Sequence, residues 1–340
     1  TETVDEATEG VRALAREDGA EAWRFTWAGE GSVPFFAKRN GDWIRSTPAF
    51  DGETLYVGGM EERFFALDAR TGRERWSVNL PERFDVAPPD FGFASSPLVD
   101  GNDLYLQAAN SVVKLDKRTG KTMWRALESG GSMMSSGAFS SPVLATLAGR
   151  RQLVVQGRYT LQGLDPSNGE TLWSVEVPNF RGMNILTPTV WSGGVFTSSY
   201  KNQTYFYAIE QAGGGLRARE AWRNKVSGYM SSPVVWDGVA FLHMGNRRLT
   251  AIDLATGGSL WTTLPMGEYW SMVSHGDKIL ALNSEGTLRL IRADRKEFKL
   301  LDDRQAVEAE TWAHVAVAGD QVFVRELEGI AAFTWGTSDE

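Results

Sequence analysis

The chain has 340 residues, with 35 Lys and Arg against 43 Asp and Glu for a formal net charge of −8, no cysteine and 13 tryptophans. That balance excludes a general nucleic-acid binder, which carries a basic excess, and makes an anionic membrane surface a poor main partner. Without cysteine there is no disulfide, thiolate metal site or Cys nucleophile, and no apolar run approaches the ~20 residues of a transmembrane segment.

In chain order, residues 1–18 read as a short N-terminal helix. Val4, Ala7, Val11, Leu14 and Ala15 share one stripe at helical period, and Thr3 with Glu6 has capping-box spacing. This helix is expected on the rim of the fold. Residues 19–27 follow as a strand, because Gly19 to Trp23 repeats the spacing of Gly72 to Trp76 and Gly120 to Trp124.

From 43 to 335 one unit recurs seven times. Five copies keep both anchors: Pro48 to Trp76, Pro97 to Trp124, Pro142 to Trp173, Pro188 to Trp222 and Pro233 to Trp261. Two eroded copies start at Trp270 and Trp312. A period of about 40–50 residues marks an array of supersecondary units. The second copy holds four short apolar runs, with Asp100-Gly101 between the first two and Asp116 to Gly120 between the last two. Asp-Gly is a hairpin signal, and four antiparallel strands make a propeller blade. Proline cannot donate to a ladder, so each Pro marks an edge strand. Trp23, Trp76, Trp124, Trp173, Trp222 and Trp261 are expected as structural wedges between blades.

The expected fold is therefore all-β. It is a single domain spanning 1–340, a seven-bladed β-propeller of four-stranded antiparallel blades. The last copy lacks an outermost strand, so the 19–27 strand is expected to complete that blade and close the ring. The third copy, with its longer connection from Ala145 to Arg151, predicts an elongated hairpin. The fourth, turning at Gln211 to Gly215, predicts a floppy turn. The sixth has lost both the Thr-Gly turn and the Trp, which predicts an irregular outer edge.

The run Ser95-Ser96-Pro97, with Ala66-Leu67-Asp68, Thr71-Gly72 and Trp76, resembles the PQQ-like (quinoprotein-like) β-propeller repeat family, over essentially the whole chain. That family includes quinoprotein alcohol dehydrogenases and the non-enzymatic outer-membrane assembly lipoprotein BamB. The resemblance implies a scaffold and leaves activity open. The dehydrogenases are longer and eight-bladed; they hold the quinone with a Trp, a vicinal Cys pair and calcium. This chain has no Cys and no Glu, Asn and Asp set matching the calcium ligands, which favours the non-catalytic BamB-like branch with no cofactor. BamB itself has eight blades and a lipid anchor on a Cys absent here, so its partner is not carried over.

Function is expected where the copies differ, in the residues leading into each first strand. These include Trp43, Phe93, Phe139, Asn184, Tyr229, Tyr269 with Trp270, and Trp312, which would ring the channel mouth and stack on a ligand. Arg45 and His314 fall in the first strands themselves. Arg158, Arg181, Lys201 and Arg325 are candidate anion contacts on the same face. The histidines His243, His275 and His314 are dispersed, and no nucleophile elbow, phosphate loop or EF-hand occurs, so no catalytic or metal-binding residue is assigned. The expected function is a non-catalytic, monomeric scaffold binding a protein or small ligand at this face. It is placed in the periplasm or outside the cell, with a signal peptide taken to have been removed ahead of residue 1. The alternative is a PQQ- or other redox-ligand-dependent oxidoreductase.

Overall fold

A computed structural model describes residues 2–5, 8–29, 33–40, 44–132, 135–327 and 329–334. The seven repeats form seven antiparallel sheets, blades 1 to 7, six of four strands and the last of three among the described residues. Blade 2 shows the plan, with strands Leu98–Asp100, Asp103–Ala108, Ser111–Asp116 and Thr122–Ala126 paired in sequence order. Its last turn is built by one carboxylate. Asp116 Oδ1 accepts the N–H groups of Arg118 and Thr119 and the Thr119 hydroxyl, each at 3.0 Å, and Gly120 takes φ 69°, which a side chain disfavours. Pro48, Pro97, Pro142, Pro188 and Pro233 each immediately precede a first strand, which is an edge of its own sheet. The reading of the repeats as seven antiparallel β-propeller blades is borne out, with four strands in six of them and three in the last among the described residues.

The tryptophans do wedge neighbouring blades, and the contact is specific. Trp76 Nε1 donates to Lys117 O at 2.9 Å in the turn of blade 2, and a Cβ added to Gly120 would lie 2.7 Å from Trp76 Cε3. The indole therefore rests on the turn glycine of the next blade. Trp23 does the same on Ala69 O and Gly72, Trp124 on Pro166 O and Gly169, and Trp222 on Leu254 O and Gly257. Trp261 donates to Asp294 O. Trp173 is the exception, because blade 4 has lost the receiving turn; its Nε1 goes to Gln152 Oε1 in its own blade.

Four expectations need correction or refinement. The described residues of 1–18 form no helix: Glu2–Asp5 and Thr8–Leu14 are strands. The expected strand at 19–27 exists as Glu21–Ala28, but among the described residues it pairs with Thr8–Leu14 in a separate N-terminal three-stranded sheet and not with blade 7. The physical reason is Glu9, a carboxylate at a buried strand position, which hides the two-residue alternation. It accepts Trp27 Nε1 at 2.8 Å and Met60 N at 3.0 Å. In blade 4 the turn is a tight pair, Gly213 at φ 58° and Gly214 at φ 84°, joining Thr204–Ala212 to Gly215–Asn224. In blade 6 the outer strand Lys299–Gln305 is regular, with the same single register shift as other outer strands. The elongated hairpin of blade 3 is as expected, Val143–Leu147 with Arg150–Gln156.

The only helical segments among the described residues are Phe35–Asn40 and Leu80–Phe84, and none is long and apolar enough to cross a membrane. The chain divides into two compact units. One comprises 1–177, 181–188 and 209–218; the other comprises 178–180, 189–208 and 219–340.

Candidate functional site

Antiparallel pairing puts the segment leading into each first strand at the same end of a blade as the turn between its second and third strands. In the second unit this end carries a connected run of rings. Phe180 lies 6.3 Å from Tyr200, Tyr200 4.3 Å from Tyr229, Tyr229 5.5 Å from Tyr269, and Tyr269 4.7 Å from Trp312, between ring centroids. These spacings are those of interacting aromatic pairs. Tyr200 sits where the second strand of blade 4 ends, in a turn that Lys201 closes at φ 52°. Tyr269, at φ 51°, turns the chain into blade 6. The Lys201 ammonium stands 5.1 Å over Phe180 and 5.2 Å over Tyr200.

All five rings keep solvent exposure, and Trp312 Nε1 is fixed by Glu310 Oε2 at 3.1 Å. Burial, with Tyr269 and Tyr200 alongside, raises the Tyr229 hydroxyl above its ordinary range, so it stays a neutral hydrogen-bonding phenol.

The first unit has its own run. Phe35, 85% exposed, and Phe36, 60% exposed, stand in Phe35–Asn40; Phe36 contacts Phe91, and Phe91 contacts Phe139. The Arg158 guanidinium lies 4.2 Å over Phe139 and 5.7 Å over Phe91. It is buried and donates to Gly182 O at 2.7 Å and Ser136 O at 3.0 Å, which makes it a clamp between loops.

The expected mouth residues thus separate. Phe139, Tyr229, Tyr269 and Trp312 join aromatic runs. Phe93, Asn184 and Trp270 are buried. Phe93 packs on Phe64 in the core of blades 1 and 2, Asn184 donates to Arg158 O at 3.1 Å, and Trp270 is 1% exposed and stacked on His243. His243 gives Nε2 to Gly267 O, and burial holds its pKa down at about 4, so it is a neutral core residue. Arg45 is half-buried, while His314, Arg181 and Lys201 are exposed and Arg325 is half-exposed on its strand. Trp43 lies outside the described residues. Sequence reasoning missed Phe180, Tyr200, Phe91 and the Phe35-Phe36 pair. Tyr200 was within reach, one residue ahead of Lys201 in the same turn. Among the described residues no three acidic or imidazole groups gather to hold a metal ion.

The family model described as outer membrane protein assembly factor BamB matches residues 7–263. The outer membrane protein assembly factor BamB of Yersinia pestis is 23% identical over 72% of this chain and 64% of its own length. Quinoprotein alcohol dehydrogenase PedH of Pseudomonas putida is 27% identical over 44% of this chain and 24% of its own. The chain thus spans less than two thirds of either curated relative. The crystal structure of BamB from Moraxella catarrhalis has the same fold, with a TM-score of 0.67 at 16% identity over 98% of each chain. Because the family model matches well over half of the sequence, the chain belongs to the family of outer membrane protein assembly factor BamB.

Proposed function

We propose that the protein is a non-catalytic, extracytoplasmic scaffold of outer-membrane protein assembly, which binds a polypeptide partner on the aromatic run from Phe180 to Trp312. The run carries this reading. Five partly exposed rings spread over the approaches to blades 4 to 7, with a lysine over two of them, form an open apolar surface in an otherwise acidic chain. Aromatic anchors of this kind dominate the energetics of protein interfaces, and an open strip suits an extended segment better than a small molecule. Periplasmic placement follows the role for which the relatives are named. No cofactor is assigned: the chain lacks cysteine, and its described acidic and imidazole groups do not converge.

The test is a double variant, Tyr229→Ala with Trp312→Ala, introduced into the native host in place of the wild-type protein. Both rings are half-exposed, so cooperative folding should persist, while the level of folded outer-membrane proteins should fall to that of a strain without the protein. Unchanged levels would remove the aromatic run from the function.

A further inference from the structure

At the other end of the blades lie the first hairpin and the Asp-x-x-Thr-Gly turn, and in blade 1 both of their aspartates hold cations. Asp51, in the first hairpin, pairs at 2.8 Å with Lys117, the second residue of the following blade's turn; it also accepts the N–H groups of Glu53 and Thr54. Asp68, which opens the later turn, pairs with Arg75 at 2.8 Å.

Blade 5 carries the same two kinds of aspartate, Asp237 and Asp253, but is one cation short. Leu260 stands where Arg75 stands, one residue before the wedge tryptophan. Ala293 stands where Lys117 stands, so no cation is offered from that position either; Asp253 takes Arg295, two residues further on, and Arg295 reaches Asp237 only at its backbone carbonyl, 3.4 Å away. The hairpin is also shorter. Trp236 pairs with Val239 across Asp237 at φ 46° and Gly238 at φ 69°, so no N–H two or three residues ahead lies within the turn for the Asp237 carboxylate to accept. That carboxylate has no hydrogen-bond or ion-pair partner among the described residues.

Around it is a groove of about 520 Å³, lined by Trp191, Val235, Asp237, Asp253 and Arg295 among others. Trp191 is not a wedge tryptophan. It abuts Gly238, where an added Cβ would meet its Cζ2 at 3.3 Å, and its ring lies 5.9 Å from that of Phe206. Arg295 and Asp253 cancel each other, so the groove retains the charge of Asp237 beside an indole.

We propose that this groove binds an alkylammonium group, its charge on Asp237 and its methylenes against Trp191, supplying from outside the cation that Lys117 supplies to Asp51. A carboxylate and an indole side by side recognise such a group whether it comes from a lysyl side chain of a polypeptide or from a free polyamine. The groove lies away from the aromatic run, and its ligand is independent of the partner proposed there.

The experiment uses protein labelled with 5-fluorotryptophan, with the Trp191 fluorine resonance assigned through Trp191→Phe. Trilysine, spermidine and tri(Nε-acetyl)lysine are titrated separately. The expected result is a saturable shift of the Trp191 resonance with an ammonium probe and none with the acetylated peptide. Asp237→Asn should weaken binding about tenfold or more, since a charge-assisted contact is worth over ~1.4 kcal/mol. Saturation by trilysine alone points to a polypeptide source, and by spermidine alone to a polyamine. Leu260→Arg gives Asp253 its own cation and frees Arg295 for Asp237, so it should abolish binding with Asp237 intact. No saturable shift, an equal shift with the acetylated peptide, or undiminished binding in both Asp237→Asn and Leu260→Arg would overturn the proposal.

Discussion

Glu62 Oε2 accepts the backbone N–H of Ala109 at 2.7 Å, so a carboxyl group carried by blade 1 holds the turn of blade 2. Glu62 is 1% exposed, and its other oxygen has no hydrogen-bond partner among the described residues. Glu9 does the equivalent job one step earlier, tying the N-terminal sheet to Met60. Carboxyl groups, as well as tryptophans, therefore stitch the repeats of the first unit together.

Burial pushes the Glu62 carboxyl up to about 7, and the Ala109 N–H offsets this only in part. A group whose pKa is higher folded than unfolded binds more protons in the folded state, so stability falls as pH rises between the two values. The stabilisation is full below the unfolded value near 4.5 and lost on passing 7, a loss of about 3 kcal/mol at most. Glu62→Gln keeps an acceptor for Ala109 and removes the titration. Urea unfolding at pH 5 and pH 8 should show a smaller loss for the variant than for wild type. Glu9 is raised in the same direction, so the difference between the two proteins is the quantity to read. Equal losses would show that Glu62 is already ionised when folded.

Gly120 and Gly101 both have positive φ, 69° and 57°, but only Gly120 lies under a tryptophan. Alanine at Gly101 meets nothing within 4 Å and should cost only the backbone strain, about 1–2 kcal/mol. Alanine at Gly120 adds a collision with Trp76 and should cost about 1–3 kcal/mol more. The two variants unfolded side by side measure the wedge. Equal costs would mean that the indole yields freely.

Arg158 was expected to contact an anion, and its bonds to Ser136 O and Gly182 O give it a structural task instead. Arg158→Met should keep an unbranched apolar stem but remove the guanidinium over Phe139 and leave two carbonyl oxygens short of a donor, costing about 2–4 kcal/mol. Guanidinium chloride unfolding checks this. A cost below about 0.5 kcal/mol would contradict the clamp.

The scaffold was legible because each copy repeats residues with one physical task apiece: Asp116 and Gly120 can only build a turn, and Trp124 needs a large apolar surface. The N-terminal sheet was not, because Glu9 is polar at a buried position, and its partners Trp27 and Met60 are distant in sequence. The site was half legible. Spacing placed Tyr229, Tyr269 and Trp312 at the approaches to their blades. It could not say which way a side chain turns there, so Phe93 and Trp270 were read as surface residues although their rings enter the core. Tyr200 escaped notice because it belongs to a turn between strands rather than to an approach segment.

The most direct test of the account is photo-crosslinking in the native host, with p-benzoylphenylalanine at Tyr200 and, as control, at the exposed Leu301 on the outer strand of blade 6. A discrete polypeptide adduct is expected from Tyr200, absent from Leu301 and lost when Tyr229→Ala and Trp312→Ala are combined. The same adduct from both positions, or one that persists at full yield in the double variant, would contradict it.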